Sequence, residues 1–411
     1  MKSEEMIIPK HWNIRKFEDF LDYIQPNPFI VESTAYSDDY KIPVLTAGKS
    51  FILGNTNEIN GVFNSLPVII FDDFTTANKF VNFPFKVKSS AMKILKPKNE
   101  LVNIKFIFYY MQTVHITFDT HKRYWISVFS KLPVPSPPLP EQHSIVSKIE
   151  ELLSDLENGK QQLQTAQQQL KIYRQSLLKW AFEGRFGFAQ RPSNSVKNGE
   201  LPKGWKWVKL NDICNIIGGV TKGKNYKGKA TIHLPYLRVA NVQDGYLDLK
   251  VIKTIEVLSS DLEKYRLHYG DILYTEGGDK DKLGRGTIWK NEIQDCIHQN
   301  HIFRARPLSD NISSKYIAYY SQSKLAKDYF FKHGKQTTNL ASINLTILSN
   351  LELPITSFEE QHLIVLELES KLTVCDKIEE TIIQSLQQAE TLRQSILKKA
   401  FEGRLIKTRK N

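Results

Sequence analysis

The residues best suited to chemistry in this 411-residue chain are cations set in glycine-relieved loops. Between Gly218 and Lys229 run Lys222, Lys224, Lys227 and Lys229, interleaved with Gly219, Gly223, Gly228 and Tyr226. Lysines spaced along a pliant backbone can follow a phosphate chain, releasing counterions as they neutralise it. The competing reading is a plain solvated hairpin. Gly277 to Arg285 holds Lys280, Lys282 and Arg285, and Gln299, Asn300 and His301 follow. His333 to Asn339 holds Lys335, Gln336, Thr337, Thr338 and Asn339. Arginine suits guanine, and Asn or Gln suits adenine, in the major groove. Earlier in the chain, Thr75, Thr76, Asn78 and Lys79 follow Phe71-Asp72-Asp73-Phe74, and His121, Lys122, Arg123 and Tyr124 form a further cluster. Taken singly, each of these is more readily a surface or turn residue. Together they are candidate DNA contacts.

Catalytic patterns do not match. There is no Gly-Lys-Ser/Thr phosphate loop and no dinucleotide fingerprint behind a strand. An adenine methyltransferase needs an Asn/Asp-Pro-Pro-aromatic segment for the flipped base, and Pro26-Asn27-Pro28-Phe29 lacks the second proline. Asp72-Asp73 and Asp279-Lys280-Asp281-Lys282 could be imagined as a magnesium nuclease site, but lack the partnered spacing and read as charged turns. Cys214, Cys296 and Cys375 lie too far apart for a zinc site or disulfide framework. No catalytic residue, metal or cofactor is therefore assigned to this chain. No run approaches the roughly 18 apolar residues of a membrane span. The opening Met1-Lys2-Ser3-Glu4-Glu5 has no signal-peptide pattern, so a reducing cytoplasm is the expected setting.

The net charge of +12 is unevenly placed. Residues 1–140 hold 16 basic against 13 acidic side chains, and residues 191–359 hold 25 against 17. The segments between are near neutral. A polyanion partner fits that surplus, though a basic inert surface fits it too.

Internal repetition is the strongest signal. Glu141-Gln142-His143 recurs as Glu360-Gln361-His362, and Ala181-Phe182-Glu183-Gly184-Arg185 as Ala400-Phe401-Glu402-Gly403-Arg404. Across 45 ungapped positions, 19 are identical. Upstream, Pro9-Lys10-His11-Trp12 answers Pro202-Lys203-Gly204-Trp205, and Leu132-Pro133-Val134-Pro135 answers Leu351-Glu352-Leu353-Pro354. The chain reads as variable unit, helix, variable unit, helix.

Each repeat predicts a proline-free helix of about 43 residues, or roughly 60 Å. The apolar seam steps through Ile145, Ile149, Leu152, Leu156, Leu163, Ala166, Leu170, Tyr173, Leu177 and Trp180. Its copy steps through Ile364, Leu368, Leu372, Cys375, Ile378, Ile382, Ala389, Leu392 and Ile396. Gly184 and Gly403 are the expected stops. Helices this long need a partner for their seams, and the other copy is the economical one, running antiparallel. Short β-branched runs, among them Ile42 to Leu45, Val68 to Phe71, Leu234 to Val239 and Asp271 to Tyr274, predict α+β units.

Taken together, the Trp12 and Trp205 openings, the Leu-Pro strands, the Glu-Gln pairs and the doubled Ala-Phe-Glu-Gly-Arg endings resemble the specificity subunit of type I restriction-modification systems. The resemblance covers essentially the whole chain. Gly270-Asp271-Ile272-Leu273 is similar to a strand of such recognition domains; the first unit shows Ile69-Ile70-Phe71-Asp72 instead, which suggests a different subtype. The fold implied is α+β: two target-recognition domains separated by two long antiparallel coiled-coil helices, in a pseudo-two-fold repeat. The boundaries expected are 1–140 and 204–358 for the domains, 141–186 and 359–404 for the helices, 187–203 for a linker and 405–411 for a basic tail. Implied partners are double-stranded DNA, two methyltransferase subunits and, optionally, translocating endonuclease subunits. S-adenosylmethionine, magnesium and ATP would be used by those partners. The alternatives are a methylation-only system, a stand-alone endonuclease, and a coiled-coil adaptor without DNA contact.

Overall fold

A computed structural model describes residues 8–46, 50–116, 123–188, 200–223, 225–278, 283–336 and 341–406, the side chain of Gln336 excepted. The chain divides into two compact units, residues 1–164 with 383–411, and residues 165–382.

The first unit opens with strand β1 (Asn13–Lys16), a turn of helix α1 (Phe17–Phe20) and β2 (Leu21–Ile24). Then come β3 (Ile42–Leu45), β4 (Ile52–Thr56), β5 (Val68–Asp72), β6 (Asn78–Val81), β7 (Lys86–Val87) and β8 (Met92–Pro97). Helices α2 (Ile104–Met111) and α3 (Tyr124–Ser127) and strand β9 (Pro133–Ser136) lead into the long helix α4 (Leu139–Phe182). The second unit's domain runs through β10 (Lys206–Lys209), α5 (Leu210–Ile213), β11 (Cys214–Gly218), β12 (Thr231–Leu237), β13 (Lys253–Leu258) and α6 (Asp261–Tyr265). Next are β14 (Ile272–Thr275), β15 (Gly277–Gly278), β16 (Gly286–Ile288), β17 (Ile297–His298) and β18 (Ile302–Pro307). It closes with α7 (Ser314–Gln322), α8 (Lys324–His333), β19 (Lys335–Gln336), β20 (Ala341–Ser342), α9 (Leu345–Ser349), β21 (Glu352–Ile355) and the long helix α10 (Phe358–Phe401).

The two domains share one topology. Sheet order β2-β8-β5-β6 in the first matches β11-β18-β14-β16 in the second, and β4-β3-β7 matches β13-β12-β17. The first unit therefore differs from the second in its Ile69-Ile70-Phe71-Asp72 sequence and not in its strand order. In register, Val68 stands where the second unit has Asp271. Asp271 is buried and takes both the Nε and Nη2 of Arg306 at 2.7 Å. The first unit has Lys96 at the matching place and needs no buried acid there. Asp271 precedes β14 as a turn residue, and Val239 lies beyond the end of β12 in a short 3-10 turn.

Polar staples repeat as faithfully as the strands. The buried Gln142 accepts from the Asn103 amide at 3.0 Å and donates to Pro137 O at 3.0 Å. Gln361 does the same with Ser313 and Thr356, at 2.9 and 2.8 Å. Asn103 and Ser313 also cap α2 and α7. Lys105 pairs with Glu150 at 2.6 Å, and Lys315 with Glu369 at 2.8 Å. The Tyr110 hydroxyl donates to Pro133 O at 2.9 Å and the Tyr320 hydroxyl to Glu352 O at 2.8 Å. Burial pushes the Tyr110 pKa up to about 12. This explains the glutamine of the repeat: it fastens the start of each long helix to its own domain.

Each unit's core is closed by the end of the other domain's helix. Phe401 meets Phe106 and Tyr110 edge-on at 5.2 and 5.0 Å; Phe182 meets Tyr316 and Tyr320 at 5.1 and 5.0 Å. Leu397 and Ala400 are buried with Ile145 and Ile149, as Leu178 and Ala181 are with Ile364 and Leu368. Within the second unit the helices run antiparallel: Arg174 of α4 bridges Asp376 and Glu379, and Phe186, further along the chain, sits under Lys371. Seam positions Tyr173, Ile378 and Leu392 are corrected, being 45%, 45% and 50% exposed. The helix ends pack against domains as well as each other, so the buried face turns toward Leu178 and Leu397. Gly403 ends α10 at φ +70, where a Cβ would also stand 2.2 Å from Pro9.

A fragment ending near Arg191 keeps the first domain and α4 but loses Leu397, Ala400 and Phe401. Leu178, Ala181 and Phe182 stand at the same repeat positions, so a second copy can close the core through an isologous interface. The expected outcome is a homodimer by light scattering, driven to unstable monomer by Phe182→Ala, a loss of about 3–5 kcal/mol per core. A stable monomeric fragment would contradict this account of the core.

Candidate nucleic-acid interface

In the second unit, backbone hydrogen bonds gather the predicted loops. The Val220 amide donates to His298 O at 2.8 Å, and the Asn300 amide to Val220 O at 2.9 Å. This pins the mouth of the lysine loop onto Gln299, Asn300 and His301. Gly219 is required there, because a Cβ would stand 2.0 Å from His298 O. Lys222, Lys227 and Lys229 are exposed and Tyr226 is half-buried. Lys222 reaches back to within 5.6 Å of the Tyr236 ring centre. Lys224 lies outside the described residues.

A second gathering point follows β14. The Glu276 amide donates to His301 O at 2.9 Å, and Glu276 O accepts from the Ile343 amide at 2.7 Å. Gly277 and Lys335 both pair with Ser342, which brings β15, β20 and β19 side by side. The result is a cleft of about 540 Å³ lined by Glu276, Gly277, Gly278, His301, Lys335 and Ser342 among others. The His301 Nδ1 is hydrogen-bonded to the Glu276 carboxylate. Glu276 was not among the sequence candidates, because an acid gives no signal in a search for phosphate contacts. Arg285 is half-buried, its Nη1 donating to Gln243 Oε1 at 2.7 Å. Lys280, Lys282, Thr337, Thr338, Asn339 and the Gln336 side chain fall outside the described residues.

The first unit uses the same frame differently. The Asp73 amide donates to Ala91 O at 3.1 Å, and Asp73 O accepts from the Tyr124 amide at 2.8 Å. Asp73 and Ala91 therefore stand where Glu276 and His301 stand in the second unit. Asp73 is buried, bonded to the Trp125 amide at 2.9 Å and paired with the buried Lys93 at 3.6 Å. Asp72 caps its own hairpin, accepting from the Phe74 and Thr75 amides at 2.7 and 2.9 Å. Both acids are thus occupied in structure. Thr75 and Lys79 are exposed on that β5–β6 hairpin, with Thr76 half-buried at φ 57. Arg123 is exposed, but Tyr124 is corrected: at 5% exposure it is a core residue. His121 and Lys122 lie outside the described residues.

The first unit's counterpart of the lysine loop follows Val31, whose amide donates to Val87 O at 2.9 Å. It carries Glu32, Asp38 and Asp39. Its base is held by Glu58, which accepts from the Ser33 amide and pairs with the buried Lys86 at 2.7 Å. Those contacts, the Lys86 hydrogen bond first, bring the Glu58 pKa down to about 2.

A sequence profile described as the type I restriction modification DNA specificity domain matches residues 9–165 and 202–388. The chain belongs to that family. The EcoR124I/EcoR124II specificity subunit of Escherichia coli is 39% identical over 222 residues, covering 49% of this chain and 48% of that one. The MjaVIII specificity subunit of Methanocaldococcus jannaschii is 23% identical over 421 residues, covering 97% and 94%. The match spans about half the length of the first of these relatives. Among solved structures, the HsdS subunit from Thermoanaerobacter tengcongensis has the same fold, with a TM-score of 0.57 at 20% identity over 98% of this chain and 100% of that one. A chain from a study of assembly and conformational transition of the type I R-M system reaches 0.70 at 20% identity, over 97% and 99%. Two specificity domains, each leading into one of the long helices, are what the doubled sequence anticipated.

Alanine at Lys222, Lys227 and Lys229 should lower the log–log salt slope of DNA binding by up to about 2.7, at about 0.9 per lost phosphate contact. An unchanged slope would mark the loop as merely solvated. Beneath it, His298 is fully buried with Nδ1 against Ile302 O at 2.8 Å. Burial, chiefly, holds its pKa down to about 4 from 6.5. Between those values the unfolded chain binds the proton and the folded one does not, so stability falls as pH drops through that window. The wild type should lose about 3 kcal/mol more than His298→Gln between pH 7 and 4, read from denaturant melts at each pH.

Proposed function

We propose that this chain is a sequence-specific DNA-recognition subunit of a type I restriction-modification complex. Each domain reads one half of a bipartite, asymmetric site, and the helices set the spacer between halves. The observation that carries this reading is the doubling itself: two domains of one topology, each presenting different loop side chains on the same hydrogen-bonded frame. Lys222, Lys227 and Lys229 would follow phosphates, with Gln299, Asn300, His301 and Lys335 beside them at the base edges. Thr75, Thr76, Lys79 and Arg123 would serve the first half-site. Lys224, Lys280, Lys282, Arg285, Gln336, Thr337, Asn339, His121 and Lys122 remain candidates on sequence grounds, as does Tyr226. We assign residues 1–140 and 204–358 to the recognition domains and 141–186 and 359–404 to the spacer helices.

The chain carries no catalytic role in this reading. Two methyltransferase subunits modify adenines with S-adenosylmethionine, and endonuclease subunits, where present, cut with magnesium and ATP. Support for docking on the helices comes from their exposed apolar residues, among them Ile172 at 68% and Val374 at 55%. Large side chains left open on a charged helix suit a partner surface.

The pure chain with S-adenosylmethionine, or with magnesium, should neither methylate nor cut DNA; transfer by the chain alone would overturn the reading. Lengthening 141–184 and 360–403 by one heptad each should change the spacer of the methylated motif and leave its half-site bases as they were. An unchanged spacer would remove the helices from that role.

A further inference from the structure

We propose that Glu276 is a specificity-determining residue of the second domain. Its carboxylate accepts a hydrogen bond from the exocyclic amino group of one cytosine or adenine, and His301 is the positioning residue that holds it. The proposal rests on the DNA-recognition reading above and names a reader that reading does not contain.

The first domain supplies an internal control. Asp73 and Glu276 occupy the same place, each with its amide bonded across to the neighbouring strand and its carbonyl bonded to the segment before the last strand. At Asp73 the acid is a core device, bonded to Trp125 N and paired with Lys93. The second domain has Phe303 at the register position of Lys93 and His301 at that of Ala91. Glu276 is therefore released from the core role, and its longer side chain turns outward to an imidazole. Its side chain is 33% exposed and that of His301 51%.

The surroundings fit a base edge. Among the described residues, only Oε2 of Glu276 has a partner, His301 Nδ1, and Oε1 is left to accept. The cleft beside it is lined by Gly277 and Gly278, which carry no side chain of their own, and by Lys335. Gln299 and Asn300, pinned to the mouth of the lysine loop, adjoin His301. A carboxylate facing phosphates is repelled. One facing an amino group in the major groove is a recognised pairing, with Glu and Asp accepting from cytosine N4. The hydrogen bond between His301 Nδ1 and Oε2 fixes the direction of Oε1.

The test is selection of binding sites from a random duplex library by the full chain, comparing wild type with Glu276→Ala, Glu276→Gln and His301→Ala. The hydrogen bond from the Glu276 side chain goes to the half-exposed His301, so melting temperatures should match closely. Discrimination at one base pair of one half-site should fall about tenfold in Glu276→Ala. In His301→Ala it should fall at the same base pair, whereas a purely structural role would lower affinity for every sequence alike. In Glu276→Gln a cytosine preference should shift toward adenine, which an amide contacts through N6 and N7, and an adenine preference should persist. A wild-type motif that all three variants retain would overturn the proposal and leave the recognition reading standing. A wild type that enriches no motif would overturn both.

Discussion

Phenylalanine insertion at the helix ends is the contact on which the rest depends. Phe401 fills the slot between Phe106 and Tyr110, and Phe182 fills the matching slot between Tyr316 and Tyr320. Burying an aromatic ring of this kind is worth a few kcal/mol, and edge-on packing adds to it. Neither domain closes its core with its own sequence neighbours alone. Each needs the far end of the helix that follows the other domain, so a 44-residue helix cannot detach at its end without opening a core. A helix of that length with a sparse seam is marginal by itself. Anchoring at both ends, by glutamine staple at the start and phenylalanine plug at the finish, is what holds it as one continuous helix.

That arrangement was partly legible in the residues. The repeat located both helices, their glycine stops and the pairing of copies, because identical residues at a fixed offset survive any ignorance of tertiary structure. Heptad spacing misplaced the buried face at Tyr173, Ile378 and Leu392. A seam rule assumes one partner helix, and these helices also pack on domains. The common topology of the domains was hidden. Asp271 invites a motif that Val68 lacks, yet the difference is only whether an arginine at position 306 needs a buried counter-charge. Strand order depends on long-range pairing, which local pattern does not encode.

The candidate site was legible where its residues are marked by charge and illegible where their placement depends on orientation. A run of lysines announces itself, and hydrogen bonds at Val220 and Asn300 explain how it meets Gln299 to His301. Tyr124 shows the opposite case: in sequence it extends a polar cluster, but its amide closes the frame on Asp73 and its ring lies in the core. Asp73 and Glu276 look equivalent as letters and are opposite in use. Only the identity of the cross-strand neighbour, lysine in one domain and phenylalanine in the other, decides which acid is retained inside and which is turned out.

One frame with interchangeable occupants also explains the uneven charge. The loop leaving the Val220 bridge is lysine-rich, and the loop leaving its Val31 counterpart is acidic at Glu32, Asp38 and Asp39. Both are fastened by the same backbone hydrogen bond, so the charge of the loop is free to vary without disturbing the sheet. Stability resides in the strands, the staples and the plugged cores, and the recognition loops are left to change. A fold arranged this way can change its loops one domain at a time, because the residues that hold a domain together are not the residues proposed above to meet DNA.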